Sequence, residues 1–315
     1  MVEMEKVREA VEANQTELEK NYLVDTIKSA FFDFQILISQ KQAALSLRKA
    51  LQLHCQKLEN LFEEGLIKKT DLLETKTSLE QTDMNLSDLN RAIDKVRIGF
   101  HRICGHYPEE IDLKYKEEEP GKEQAMEYFK NNHPVLTTLQ DQKRILEIQK
   151  KIASGKYLPS INGFAELHYG KPGIDFFRKE WSVYFQGGVV LNLPVFAWNK
   201  GTDEKRILDL NIQKLENQKN DFVRETKKSL DQLYSAIESL NQKKENIENM
   251  IEYSKEDAEL KKGLYEEKQI HNKDYLSALQ AERKYKAMKN EISLQIEKIN
   301  VKINTLISRT KEYGS

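Results

Sequence analysis

The sequence predicts a mainly α fold with a small β part: two long antiparallel coiled-coil helical hairpins flanking one β-hairpin. Three observations carry that reading. A helical pattern recurs at a fixed offset of 203 residues, from Leu61 to Leu264. Glycine and proline concentrate between residues 105 and 201, which leaves the flanks free to run as uninterrupted helices. Between them lies a short aromatic stretch whose hydrophobicity alternates with a period of two.

The repeat keeps its register. Leu61-Phe62-Glu63-Glu64 returns as Leu264-Tyr265-Glu266-Glu267, and Ile67, Asp71 and Leu73 return as Ile270, Asp274 and Leu276. Farther on, Leu89, Ile93, Val96, Phe100 and Ile103 fall on Ile292, Ile296, Ile299, Ile303 and Leu306, keeping one spacing of four and three in both copies. A supersecondary unit that recurs at constant offset is a duplicated element.

Residues 1–105 form the first predicted hairpin. Ile27, Ala30, Phe34, Leu37 and Ala44 sit at the seam positions of heptads. Each arm runs for roughly 40 residues, on the order of 60 Å of helix. The run breaks at Gly65-Leu66-Ile67-Lys68-Lys69-Thr70-Asp71, and Asp71 followed by Glu74 reads as the next helix start.

Residues 106–131, with Glu117-Glu118-Glu119 and Pro120-Gly121, read as a surface linker. Residues 132–156 read as a helix. Asn132-His133-Pro134 caps its start with proline just inside, and Ser154-Gly155 ends it.

Residues 157–198 read as the β-hairpin. They hold ten of the chain's 27 aromatic residues, both tryptophans included. Trp181, Val183, Phe185, Val189, Leu191 and Leu193 alternate with Ser182, Tyr184, Gln186 and Asn192, so one face is apolar and the other mostly polar. Ile161, Gly163, Ala165, Leu167 and Tyr169 supply the partner strand, and Lys171-Pro172-Gly173 starts the loop. The run from Trp181 to Leu193 exceeds the 9 to 11 residues that cross a bilayer as a tilted strand. A soluble sandwich gives the same alternation. Tyr169, Phe176, Phe177, Trp181, Phe196 and Trp198 near the strand ends favour the membrane, where barrels carry aromatic girdles. Two strands leave unpaired edges, so other chains or further sequence must complete the sheet.

Residues 199–310 form the second hairpin. Leu230, Leu233, Ile237, Leu240, Ile247 and Ile251 occupy its seam. Its turn is Lys268-Gln269-Ile270-His271-Asn272-Lys273-Asp274, with Asn272 suited to a left-handed conformation.

Composition excludes several classes. Charged residues make up 32% and mean hydropathy is −0.70, too polar for one thick core. Net charge is −1 with both signs interspersed, so no nucleic-acid footprint is present. Cys55 and Cys104 define no disulfide framework and match no zinc spacing. The six histidines are scattered and no phosphate-binding loop or nucleophile motif occurs, so neither a cofactor, a metal nor catalysis is expected.

Several of these stretches resemble one known family. Tyr157-Leu158-Pro159-Ser160-Ile161, then Gly187 through Phe196, then Asn199-Lys200-Gly201 leading into a long helix, resemble the second half of TolC-type outer-membrane efflux proteins. Phe62 through Leu73 are similar to that family's tip pattern; Tyr265 through Leu276 follow it, with Lys268 in place of the glycine. The resemblance implies a homotrimer whose strands share an outer-membrane barrel and whose hairpins line a periplasmic tunnel. It implies partners too: a periplasmic adaptor, an inner-membrane pump and outer-membrane lipid. Gly65, Leu66, Ile67, Thr70, Asp71, Ile270, Asn272 and Asp274 would be the adaptor-contacting tip residues. The apolar strand face would meet lipid and Ser182, Tyr184, Gln186 and Asn192 would face the lumen. By the offset, Met1 corresponds to Glu204, so a first strand pair and a signal peptide are expected to be missing ahead of it. The competing expectation is a soluble coiled-coil scaffold or adaptor, which needs only the hairpins.

Overall fold

The computed structural model describes residues 2–110, 120–156, 159–171, 177, 180–193 and 200–309. Its elements are α1 (Val2–Glu63), α2 (Lys69–Cys104), α3 (Lys122–Asn132), α4 (Pro134–Lys156), β1 (Ser160–Gly170), β2 (Ser182–Asn192), α5 (Lys200–Glu266) and α6 (Asn272–Leu306). A 3-10 turn spans Pro108–Glu110. The chain is mostly helical with one small antiparallel sheet, as expected. It divides into two compact units, Met1–Ala13 with Val135–Phe222, and Asn14–Pro134 with Val223–Ser315.

In the first unit β1 and β2 pair antiparallel from Ser160↔Asn192 to Gly170↔Ser182. Each strand has 11 residues, so Trp181 and Leu193 flank β2 instead of belonging to it. The register places Ile161 opposite Leu191, Gly163 opposite Val189, Leu167 opposite Phe185 and Tyr169 opposite Val183. Because side chains alternate across a strand, both strands put most of their apolar residues on one face, Phe164 and Val190 being on the other. On the other face the Phe164 ring lies over Gly188, where a Cβ would meet it at 2.8 Å, so glycine makes room for the cross-strand aromatic. α4 packs on α5 through Lys143–Glu216 at 2.8 Å and Lys150–Asp209 at 2.5 Å.

In the second unit the seam positions turn inward. Leu230, Ile237 and Ile247 are buried, as are Phe34 and Ala44. Leu233, Leu240, Ile251, Ile27, Ala30 and Leu37 are half-buried. Leu51, Leu276 and Leu279 form one core cluster, and Cys55, Leu58 and Leu72 form another. Both cysteines are free.

The repeat extends to the backbone. The positive-φ residues among those described are Gly65, Gly105, Lys268 and Ser308, which are two pairs at the 203-residue offset. Leu66 N–H donates to Leu61 O at 2.8 Å, and Gln269 N–H donates to Leu264 O at 2.8 Å. These are equivalent helix-ending turns, in which one left-handed residue lets the last carbonyls be satisfied.

Five readings change. The left-handed residue of the second turn is Lys268 rather than Asn272, which instead opens α6. α2 begins at Lys69 rather than Asp71, because extended Lys68 caps it and accepts the Asp71 N–H; Asp71 thus lies in the first turn, where a carboxylate favours the positive helix end. Within the segment read as a linker, α3 buries Ala125 and Phe129, since these two apolar residues lie four apart on one helical face. The rest of that segment's acidic run lies outside the described residues. The Asn132-His133-Pro134 start is also shifted: Asn132 ends α3, and extended His133 precedes Pro134 at the first position of α4. The two long arms, α1 at 62 residues and α5 at 67, exceed the expected 40, while α2 and α6 have 36 and 35.

Candidate functional site

The second unit brings both turns together. α1 and α5 end there, and α2 and α6 start there, which places residues 203 apart in sequence side by side. The tie between them is Asn272, fully buried at 0% exposure. Its Nδ2 donates to Asp71 O and to Thr75 Oγ1, each at 3.0 Å. Its Oδ1 lies 2.7 Å from His54 Nε2. With both Nδ2 protons committed to acceptors, Oδ1 accepts and His54 carries its proton on Nε2. Thr75 in turn donates to Asp71 O at 3.0 Å.

Aromatic rings close over the network. His54 meets Tyr265 edge-on at 5.6 Å and Tyr275 at 5.1 Å, while Tyr265 and Tyr275 stack at 5.9 Å. Burial holds the His54 pKa below its ordinary value, opposed by the Asn272 bond. Tyr265 is pushed up to about 12, first by burial and then by Asp71 and Glu74. Its hydroxyl is buried with no hydrogen-bond partner. Outside, Lys57 Nζ bridges to Glu266 Oε1 at 2.9 Å, which joins α1 to α5; the pair is exposed and contributes little stability.

A cavity of about 480 Å³ opens between the turns. Leu66, Ile67, Asp71, Ile270 and Asn272 of the expected tip residues line it, along with Lys57, Tyr265 and His271. Gly65, Thr70 and Asp274 do not line it, and all three are exposed. Asn272 presents no side chain to solvent, so it holds the tips together from within. Sequence reading placed Tyr265 only as the counterpart of Phe62 and gave His54, Thr75 and Tyr275 no role at the tips. Their signal is polar or hydroxylated residues at positions facing a neighbouring helix, which the heptad pattern alone treats as surface.

The sheet of the first unit is the second exposed feature. Trp181, Val183, Phe185, Val189, Leu191 and Leu193 are all exposed, as are Ile161, Leu167 and Tyr169 from β1. Tyr169 stacks on Trp181 at 5.2 Å at the loop end. The opposite face carries Ser182, Tyr184, Gln186 and Asn192, with Tyr184 stacked on His168 at 5.1 Å. Phe177 is exposed; Phe176, Phe196 and Trp198, with Tyr157-Leu158, Pro172-Gly173 and Pro194 through Asn199, lie outside the described residues. No helix among the described residues is long and apolar enough to cross a membrane. The two strands carry a dense set of exposed apolar side chains, and further exposed apolar residues are spread along the helices.

No protein-family model matches the sequence, and no curated protein matches it. Solved structures do match. The outer membrane protein VceC of Vibrio cholerae is similar over 98% of this chain and 74% of its own, with a TM-score of 0.77 at 12% identity. CusC, described through its folding and transmembrane channel formation, is similar over 97% of this chain and 72% of its own, with a TM-score of 0.79 at 12% identity. The open-state outer membrane channel MtrE of Neisseria gonorrhoeae covers 97% of this chain and 70% of its own, with a TM-score of 0.76 at 13% identity.

Proposed function

Because the chain carries the fold of TolC-type outer-membrane channels, we propose that it is the outer-membrane channel component of a tripartite efflux or type I secretion system, an exit duct for small molecules or proteins. The observation that carries this reading is the apolar face of β1 and β2. Its 11-residue strands match the length of a tilted bilayer-crossing strand, and most of their exposed apolar side chains lie on one face, with Phe164 and Val190 on the other. A strand pair with two open edges and an uncovered apolar face is stable when other strands extend the sheet and lipid covers it. Trp181, Val183, Phe185, Val189, Leu191 and Leu193 meet lipid; Ser182, Tyr184, Gln186 and Asn192 face the water-filled lumen. The helical unit stands in the periplasm as a homotrimer. A periplasmic adaptor, coupled to an inner-membrane pump, docks on the paired tips, with Gly65, Leu66, Thr70 and Asp274 as its exposed contacts.

The test is flotation of the purified chain with lipid vesicles, followed by protease treatment. The chain is expected to float and to keep the strand residues 160–170 and 182–192 uncut. A chain left at the bottom of the gradient, with those strands digested, overturns the proposal. For the tips, replacing residues 64–68 and 267–271 with unrelated loops of equal length abolishes export while leaving assembly unchanged.

A further inference from the structure

The cavity between the turns has the make-up of a small-molecule site. Its volume of about 480 Å³ falls within the usual range of such sites, roughly 300–1,000 Å³. Leu61, Leu66, Ile67 and Ile270 give it aliphatic walls, and Tyr265 lines it beside them. A few polar side chains converge on these walls, which is the composition that orients a ligand.

The two copies of the turn diverge here. At the 203-residue offset Tyr265 stands for Phe62 and Lys268 for Gly65. Neither Phe62 nor Gly65 lines the cavity, whereas both of their counterparts do. Each change adds a hydrogen-bond donor. Each also has a cost. Lys268 holds a left-handed φ of 59°, which glycine adopts freely and Gly65 adopts in the other copy. A residue kept in a costly conformation points from geometry to function. Tyr265 keeps a buried hydroxyl with no hydrogen-bond partner, a cost that phenylalanine at the first position avoids.

The charge around these donors is positive. Glu266 and Asp71 are the acids that line the cavity, and Lys57 bridges Glu266. Lys68 and Lys268 line it as well, and neither forms an ion pair among the described residues. Asp71, in the first turn of α2, offsets one of these two charges. Two helices start at the cavity edge, α2 at Lys69 and α6 at Asn272, and the residues that precede them, Lys68 and His271, provide no side-chain cap. Helix N-termini without side-chain caps keep backbone donors available, and their dipoles favour negative charge.

We propose that this cavity binds a small amphipathic monoanion, a carboxylate on a short apolar chain. The apolar part lies on Leu61, Leu66, Ile67 and Ile270. The carboxylate takes Lys68 and Lys268 as counter-ions and accepts a hydrogen bond from the Tyr265 hydroxyl. Because α1, α2, α5 and α6 all reach the cavity, the ligand ties the two tips to each other. The site is built from the helical unit alone and stands apart from the membrane reading.

The experiment is a titration of the full chain, labelled at its isoleucine methyl groups, with hexanoate and NMR detection. Ile67→Val, Ile270→Val and Ile237→Val assign three signals. Hexanoate is expected to shift the Ile67 and Ile270 signals saturably and to leave that of Ile237, which is buried farther back along α5, in place. Hexylammonium, with the same chain and the opposite charge, gives no saturable shift. Tyr265→Phe and Lys268→Gly each restore the residue of the first copy, so both variants keep the turn. Tyr265→Phe is expected to weaken hexanoate about tenfold, because a hydrogen bond to a charged group is lost. Lys268→Gly weakens it by about threefold to fivefold, as removal of an exposed ion pair does. A hexanoate response that never saturates, an equal response to hexylammonium, equal shifts at Ile237, or unchanged affinity in both variants would overturn the inference. Vesicle flotation reads the membrane proposal separately, so a chain that floats without binding hexanoate loses this site and not the channel.

Discussion

Gly65 and Lys268 hold the same left-handed turn 203 residues apart, with φ of 72° and 59°. Nothing lies within 4 Å of a Cβ built on Gly65, so the difference between the two turns is one of backbone preference rather than packing. An L residue with a side chain costs on the order of 1 kcal/mol in this conformation, part of which is offset because glycine loses more freedom on folding. Lys268→Gly is therefore expected to stabilise the protein by about 0.5–1 kcal/mol, and Gly65→Lys to destabilise it by a similar amount. Urea midpoints of the two variants and the parent decide it; a destabilised Lys268→Gly would show that the Lys268 side chain is needed at the tip.

Asn272 is bonded to three separate groups across the tips, His54, Asp71 O and Thr75. Truncation removes a donor from the Asp71 carbonyl and from the Thr75 hydroxyl, which still bond each other, and takes away the acceptor that His54 Nε2 faces. Asn272→Ala is expected to cost about 2–3 kcal/mol, while Thr75→Val, which keeps the side-chain volume and removes one hydroxyl, costs about 1 kcal/mol. The tip loops of Asn272→Ala also become cleavable by protease at a concentration the parent resists. Equal urea midpoints for parent and Asn272→Ala would remove the network from any account of tip stability.

The sequence made the hairpins legible because heptad periodicity and a constant offset report on burial directly, and Leu230, Ile237 and Phe34 are buried where the pattern places them. The strand alternation was legible for the same reason, since a period of two fixes which of Val189 and Val190 shares a face with Leu191. Lys268 escaped because propensity points to Asn272, whereas the turn inherits its geometry from the glycine-bearing copy. α3 escaped because an 11-residue amphipathic helix carries only Ala125 and Phe129 as buried anchors. His54 and Tyr265 escaped because their partners come from other helices, and no local spacing encodes contacts 200 residues away.

Acid is expected to weaken the helical unit through its buried imidazoles. His133 lies beside Phe129 at 5.0 Å, and burial lowers its pKa from 6.5 to about 4; burial lowers His54 in the same direction. A histidine kept neutral by the fold takes up its proton more readily when unfolded, so its contribution is whole above pH 6.5 and is lost as pH falls towards 4. His133→Gln removes one titrating group and leaves the carboxylates, whose effects cancel in the comparison. The parent's urea midpoint should therefore fall more steeply than that of His133→Gln between pH 6.5 and 4. Parallel slopes would mean that His133 titrates normally in the folded chain.

Face selectivity of the strands is the sharpest consequence of the register. Val189 and Gln186 both lie in the body of β2, but Val189 shares a face with Phe185 and Leu191, whereas Gln186 lies opposite Glu166 on the polar face. Arginine on a lipid-facing strand position costs about 2–4 kcal/mol near the bilayer midplane and falls towards zero at the interfaces, while a lumen-facing arginine stays in water. Val189→Arg is expected to reduce vesicle flotation of the full chain by at least tenfold, and Gln186→Arg to leave it within about twofold of the parent. Both changes add the same charge and a similar volume to the same strand, so general loss of β structure would affect them alike. Equal flotation of the two variants would show that the apolar face is covered by protein instead of lipid, because burial against another chain also penalises Val189→Arg but leaves membrane partition to some other surface.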